Sequence, residues 1–211
     1  EVIGHVPDPA TGARITAAIE AEIGGALPVT ARLRQLPPPQ CSVLASLVGA
    51  GIPQSTDQFT NPRIIGPDLF AQVYDYAAGD KLVFEITGAE FDAWLYLDYF
   101  DGSGQVTHFV PNQAVPPVRL EAQGQVSFGA VDDPDDLAYG RLREIVIGPP
   151  FGQDIAVVMI SSEPLFEALR PTVEPAEAYL AALRQRLPEL RAAAPDLKIE
   201  FVYLFVQTSS R

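Results

Sequence analysis

The chain has 211 residues, 47% of them apolar and 19% charged, which predicts a folded, soluble chain with a real core rather than a disordered one. Acidic residues outnumber basic ones 27 to 14 and the net charge is -13, so a phosphate backbone or an anionic lipid surface would be repelled. Cys41 is the single cysteine, which excludes an internal disulfide and a thiolate-rich metal site.

The first fifty residues read as strand, helix, strand, helix. Val2, Ile3 and Val6 make a short strand that ends at Pro7 and Pro9. Thr11 is expected to cap a helix carrying Ile15, Ile19 and Ile23 on one face, and Gly24-Gly25 stops it. Val29 to Leu36 alternates as a half-buried strand and ends at Pro37, Pro38 and Pro39. A second helix is expected from near Gln40, with Leu44, Leu47 and Val48 at helical spacing. Residues 51–66 are rich in breakers and read as a linker, so the expected organisation is a small domain over 1–50 and a β-rich domain over 67–211.

Lys81 to Thr87 alternates as one strand. Ala93 to Phe100 places Trp94, Tyr96, Asp98 and Phe100 on one face and Leu95, Leu97 and Tyr99 on the other. Asp101-Gly102-Ser103-Gly104 is a tight turn, and Val106 to Val110 returns as the second arm of a hairpin. Further strands are expected at Val118 to Leu120, Arg143 to Ile147 and Ile155 to Ile160. Pro175 opens a helix through Tyr179, Leu183, Leu187 and Leu190 that Pro188 should kink or split, and Lys198 to Val206 forms a final central strand. The fold class is therefore α+β: a small β-α-β-α unit, then an antiparallel β-sandwich-like domain with a C-terminal helix.

Catalytic equipment is not recognisable. The two histidines, His5 and His108, lack a G-x-S-x-G partner motif, and Gly102-Ser103-Gly104 is a turn rather than a nucleophile elbow. The acidic loop Asp132, Asp133, Asp135 and Asp136 lacks calcium-loop spacing, and zinc, dinucleotide and nucleotide-triphosphate motifs do not occur, so no metal and no cofactor is expected. Tyr96, Asp98 and His108 remain as binding candidates, Tyr96 and Asp98 because they share a strand face. Aromatics at alternate strand positions mostly build core, and that reading competes with an exposed polar-aromatic patch.

Several runs together resemble a known family: Gly79-Asp80, Leu82 to Ile86, Trp94 to Asp101, Gly104-Gln105-Val106, Phe109-Val110-Pro111-Asn112, Gly148 to Gly152 and Ser161 to Phe166. This order is similar to the bacterial domain of unknown function family DUF4384 over about residues 69–166, with the last helix and strand continuing it. Residues 1–47 resemble periplasmic BON-type modules. The DUF4384 resemblance implies a domain found beside serine/threonine kinases, caspase-like proteins or secretion-linked proteins, outside the cytoplasm of a Gram-negative bacterium, and it carries over no catalytic residue. Starting at Glu1, the chain reads as a trimmed or mature form, any membrane anchor lying outside it. The expected function is a non-catalytic sensor or interaction module for a protein or small ligand, without nucleic acid. A scaffold in an envelope or secretion assembly and a carboxylate-based hydrolase are the rivals.

Overall fold

The computed structural model describes residues 1–129 and 144–211. The acidic loop at 132–136 and Arg143 lie outside the described residues. The chain opens with β1 (Val2–Val6), α1 (Pro9–Glu22), β2 (Ala31–Gln35) and α2 (Pro38–Gly49). β1 and β2 pair in parallel, with His5 opposite Arg34. The cap of α1 is Asp8 rather than the expected Thr11: its carboxylate accepts from the Thr11 amide at 2.7 Å. Pro9 explains the shift, because its fixed φ and missing N–H suit the first helical position, which places the cap one residue earlier. Prolines 38 and 39 likewise open α2 two residues ahead of expectation rather than only ending the strand before it.

The stretch 51–66, expected as a linker, is tied to the end of the chain. It carries the short α3 (Asp57–Thr60), its Ser55 amide donates to the Phe201 carbonyl at 2.9 Å, and the Gln58 side chain accepts from the Tyr203 amide at 2.7 Å.

The strands that follow are β3 (Val73–Ala77), β4 (Lys81–Leu82), β5 (Phe84–Thr87), β6 (Ala93–Phe100), β7 (Gln105–Val110), β8 (Val118–Leu120), β9 (Gln125–Phe128), β10 (Ile145–Val146), β11 (Gln153–Ser161) and β12 (Val173–Pro175). Helix α4 (Ala176–Ala193) and strand β13 (Ile199–Ser209) close the chain. A seven-stranded sheet runs in the order β12-β7-β6-β11-β13-β3, with β8 also paired to β6. It is antiparallel except for β3, which lies parallel to β13 with Val73 opposite Phe205. The single strand expected over 81–87 is broken at Val83: β4 pairs with β10 and β5 with β9. The Gly129 backbone presses on this break, since a Cβ there would lie 2.1 Å from the Leu82 carbonyl oxygen.

Helix α4 runs as one helix through Pro188, so the proline does not split it. Pro188 and Arg184 both sit on its exposed face, so the carbonyl freed by the missing N–H meets water and the helix continues.

Two hydrophobic layers sandwich the main sheet. On one face, Leu183 and Leu187 of α4 and Val43 and Leu47 of α2 pack on Phe201, Phe205 and Ile155. On the other, Phe84, Ile86 and Phe128 of the small strand pairs pack on Leu95, Leu97 and Val110. The period-2 alternation of β6 sends its even-numbered residues to the first layer and its odd-numbered ones to the second. No helix among the described residues is long and apolar enough to cross a membrane.

Candidate functional site

Tyr96, Asp98 and His108 converge on the helical side of the sheet. Asp98 lies opposite His108 across the β6–β7 ladder, at a register shift between Leu97 and Asp98. His108 Nδ1 is 2.6 Å from Asp98 Oδ1, and its Nε2 is 3.0 Å from Glu174 Oε1 of β12. Tyr179 of α4 donates its hydroxyl to the other Asp98 oxygen at 2.7 Å and sets its ring edge-on to the imidazole, 4.5 Å between centroids. Arg170 grips Glu174 with two guanidinium nitrogens, Nε at 2.7 Å. The chain of contacts therefore runs Tyr179–Asp98–His108–Glu174–Arg170. His108 is 2% exposed and Asp98 1%.

Both imidazole nitrogens point at acid oxygens, and an ionised carboxylate can accept but not donate, so the cluster is satisfied with His108 as the doubly protonated imidazolium. Burial alone pushes the His108 pKa down; hydrogen bonds and charge from Asp98, then Glu174, outweigh it, and the pKa is raised. For Glu174, burial pushes upward, but Arg170 and then His108 hold the carboxyl below its usual value. Tyr179 is raised well above an ordinary phenol, first by burial and then by the Asp98 charge. An imidazolium with both N–H groups engaged offers no lone pair to accept a proton.

Tyr96 takes a separate part. Its hydroxyl accepts from the Leu165 amide at 2.7 Å, pinning the loop before β12, and burial first of all pushes its pKa up to about 12. Asn112, two residues past β7, donates to the His108 carbonyl at 2.6 Å and accepts from the Ala114 and Val115 amides. The hollow beside His108 and Trp94 holds about 60 Å3, room for a few water molecules.

A second polar knot fastens the hairpin turn. Asp154 accepts from the Tyr99 hydroxyl at 2.7 Å and from the Gly102 amide at 3.0 Å, with the Thr208 hydroxyl at 3.3 Å. Sequence reasoning missed Asp154, Glu174, Tyr179 and Arg170. Their side chains meet only after β11, β12 and α4 have docked, and no local spacing marks them.

A larger concavity, about 700 Å3, lies on the other face of the sheet, where the two β layers part. Its floor is Val158, Val202 and Leu204, residues of central strands that are nonetheless only half-buried. Phe84 and Ile86 of β5 and Val126 of β9 form the facing wall, and Tyr74 and Tyr76 of β3 form the side. Arg63 spans the mouth to Glu85 at 2.5 Å. The volume falls within the range of ordinary ligand pockets. Among the described residues, no group of three or more His, Cys, Asp or Glu side chains could hold a metal ion.

Fold and site together define a mixed α/β domain: a β-sandwich backed by helices, with a buried polar knot on one side and an open cleft of mixed polar and apolar lining on the other. Residues 75–164, from β3 to just past β11, match the family described as Domain of unknown function (DUF4384), as the sequence resemblance implied. The match stops short of Glu174, Tyr179 and β13, which complete the same knot and the same sheet. No curated protein matches the chain. Among solved structures, WR4, a C. elegans MSP family member, is similar at 11% identity with a TM-score of 0.32, covering 65% of this chain and 92% of that one.

Proposed function

We propose that this domain is a non-catalytic interaction module of a larger bacterial signalling protein, acting outside the cytoplasm, with the cleft between its β layers as the binding surface. The observation that carries the reading is a contrast between the two concavities. The site with titratable groups is closed and saturated, every ring nitrogen of His108 being matched to an acid. The open site mixes apolar side chains such as Phe84, Val158 and Leu204 with polar ones such as Asn61, Gln125 and Ser127, a lining that suits holding a partner. The hydrolase rival needs two acids facing substrate with poised protons; Asp98 and Glu174 are instead buried and committed to His108, Tyr179 and Arg170. The extracytoplasmic setting and the neighbouring kinase rest on the family resemblance.

A photoreactive amino acid placed at the exposed Val83, on the cleft rim, tests the reading in living cells. The expected result is a discrete adduct with one polypeptide, absent when the same group is placed on the exposed face of α1 at Ala18. Adducts from neither position, or equally from both, would contradict it. An alkaline phosphatase fused after Arg211 should be active, and an inactive, stably made fusion would remove the extracytoplasmic part.

A further inference from the structure

The stretch from Ala168 to Pro175, which ends in β12, closes one edge of the main sheet as a strap with almost no apolar anchor. Ala168, Leu169, Thr172, Val173 and Pro175 are exposed, and the buried side chain of the run is a charged one, Glu174. Main-chain bonds tie the strap down at a few points. The His108 amide donates to the Thr172 carbonyl at 2.8 Å, the Gln113 amide to the Arg170 carbonyl at 2.9 Å, and the Ala176 amide to the Gly104 carbonyl at 2.9 Å. β12 is three residues long and, among the described strands, pairs only with β7. Upstream the chain is firmly fixed, Leu165 being fully buried with its amide on the Tyr96 hydroxyl. A segment with so little buried apolar surface opens more easily than the sheet it borders.

What holds Glu174 is ionic. Its carboxylate meets His108 Nε2 at 3.0 Å and the guanidinium of Arg170, which also stands 5.3 Å from the centre of the Phe166 ring. Asp98 of β6 and Glu174 of β12 face the imidazole directly; Arg170 of the strap acts through Glu174, and the Tyr179 hydroxyl of α4 acts through Asp98. With the ring protonated, two acids and two cations balance. Removing the proton leaves Nε2 as a bare acceptor against a carboxylate oxygen, and one negative charge in excess in a buried site. Asp98 is 1% exposed and pinned by Tyr179, so the relief lies with the strap, where Glu174 and Arg170 can turn out to water. Ala168, Leu169 and Arg170 also wall the small hollow whose other side is Trp94, Tyr96 and Tyr179.

We infer that Ala168 to Pro175 is a pH-sensitive strap: protonated His108 latches it through Glu174, and loss of the ring proton releases it and bares the aromatic wall of Trp94, Tyr96 and Tyr179. The latch is complete below about pH 6.5 and is lost as pH rises through the folded value of the ring, which burial lowers but Asp98 and then Glu174 raise further. Tyr179, raised by burial and then by Asp98, and Arg170, raised by its bonds to Glu174, keep their protons throughout, so His108 is the group that changes charge. The strap goes beyond the cleft reading and does not depend on it, because it lies on the opposite face of the sheet.

Amide hydrogen exchange on the full chain, at about pH 6 and about pH 9 and corrected for the intrinsic rate at each, reads the strap through the amides of His108, Gln113 and Ala176. Their protection should fall at least roughly ten-fold over that interval while the β11–β13 ladder keeps its own, and acrylamide should quench Trp94 more readily at the higher pH. Glu174→Gln supplies an amide that donates to a bare Nε2 or accepts from a protonated one, so in this variant the three amides should hold a protection independent of pH. His108→Gln should lose the dependence too, and the edge substitution Glu174→Gln carries the test if that core change fails to fold. Four results would each overturn the strap: protection that stays level from acid to alkali, a fall that persists in folded Glu174→Gln, a fall shared by the β11–β13 ladder, or Trp94 quenching that ignores pH.

Discussion

His5 and His108 answer pH in opposite directions. His108 has its pKa raised in the folded state, so its stabilisation is fully present below about 6.5, the unfolded value, and is lost as pH rises through the folded value. His5 is packed edge-on against Phe70 and Phe205, at 5.4 and 5.3 Å between centroids, and burial, then Arg34, lowers its pKa to about 4. Its neutral form is favoured by folding, so that stabilisation is present above about pH 6.5 and is lost between there and about pH 4. Urea midpoints against pH should therefore separate two variants. His5→Phe should flatten the acid-side fall, and the deficit of His108→Gln should be largest near pH 6 and shrink in alkali. Asp98→Ala strips one acid from a buried cation and should cost about 3–5 kcal/mol in urea unfolding, the range for breaking a buried pair. A loss under about 1 kcal/mol would mean that the imidazole does not depend on Asp98. Asp98 was legible as a candidate because it shares a strand face with Tyr96, and His108 because it is one of only two histidines in the sequence. Their partners Glu174 and Tyr179 come from 66 and 81 residues away, a separation that periodicity cannot bridge.

At the scale of elements, the β6–β7 hairpin was legible because alternation and a glycine-containing turn agree with each other and need no distant partner. Gly104 takes φ +86°, the left-handed conformation that the turn requires. Strand β3 was not legible: Val-Tyr-Asp-Tyr-Ala is exposed over its first three residues, and its pairing partner β13 lies at the far end of the chain. The break between β4 and β5 was hidden for a similar reason, since Gly129, which packs against Leu82 at the break, arrives from just past β9. Prolines misled twice, at α1 and α2, because the same ring that ends a strand also starts a helix. Gly129→Ala should be severe: φ is +83° and the new Cβ would collide with backbone, so a loss of about 3 kcal/mol or more is expected from overpacking plus left-handed strain. Gly148→Ala, where the Cβ meets open space, should stay within about 0.5 kcal/mol in the same urea titration.

For the whole molecule, the first fifty residues share their core with the rest. Leu47 of α2 is fully buried in the layer that contains Leu187, Phe201 and Phe205, and Arg191 of α4 donates to the Ala50 and Gly51 carbonyls at 3.0 and 2.8 Å. Leu47→Ala should cost about 2–5 kcal/mol. It should lower the urea midpoint seen by the fluorescence of Trp94, the single tryptophan, which sits on β6. A Trp94 transition left unmoved would mean that the N-terminal unit melts by itself. The non-catalytic reading of the molecule depends most on the state of His108, and nitrogen-15 NMR of its ring reads that state directly. At neutral pH the prediction is that both ring nitrogens carry slowly exchanging protons, with titration above the ordinary histidine range. A neutral ring with one bare nitrogen, titrating near 6.5 and open to solvent exchange, would contradict it.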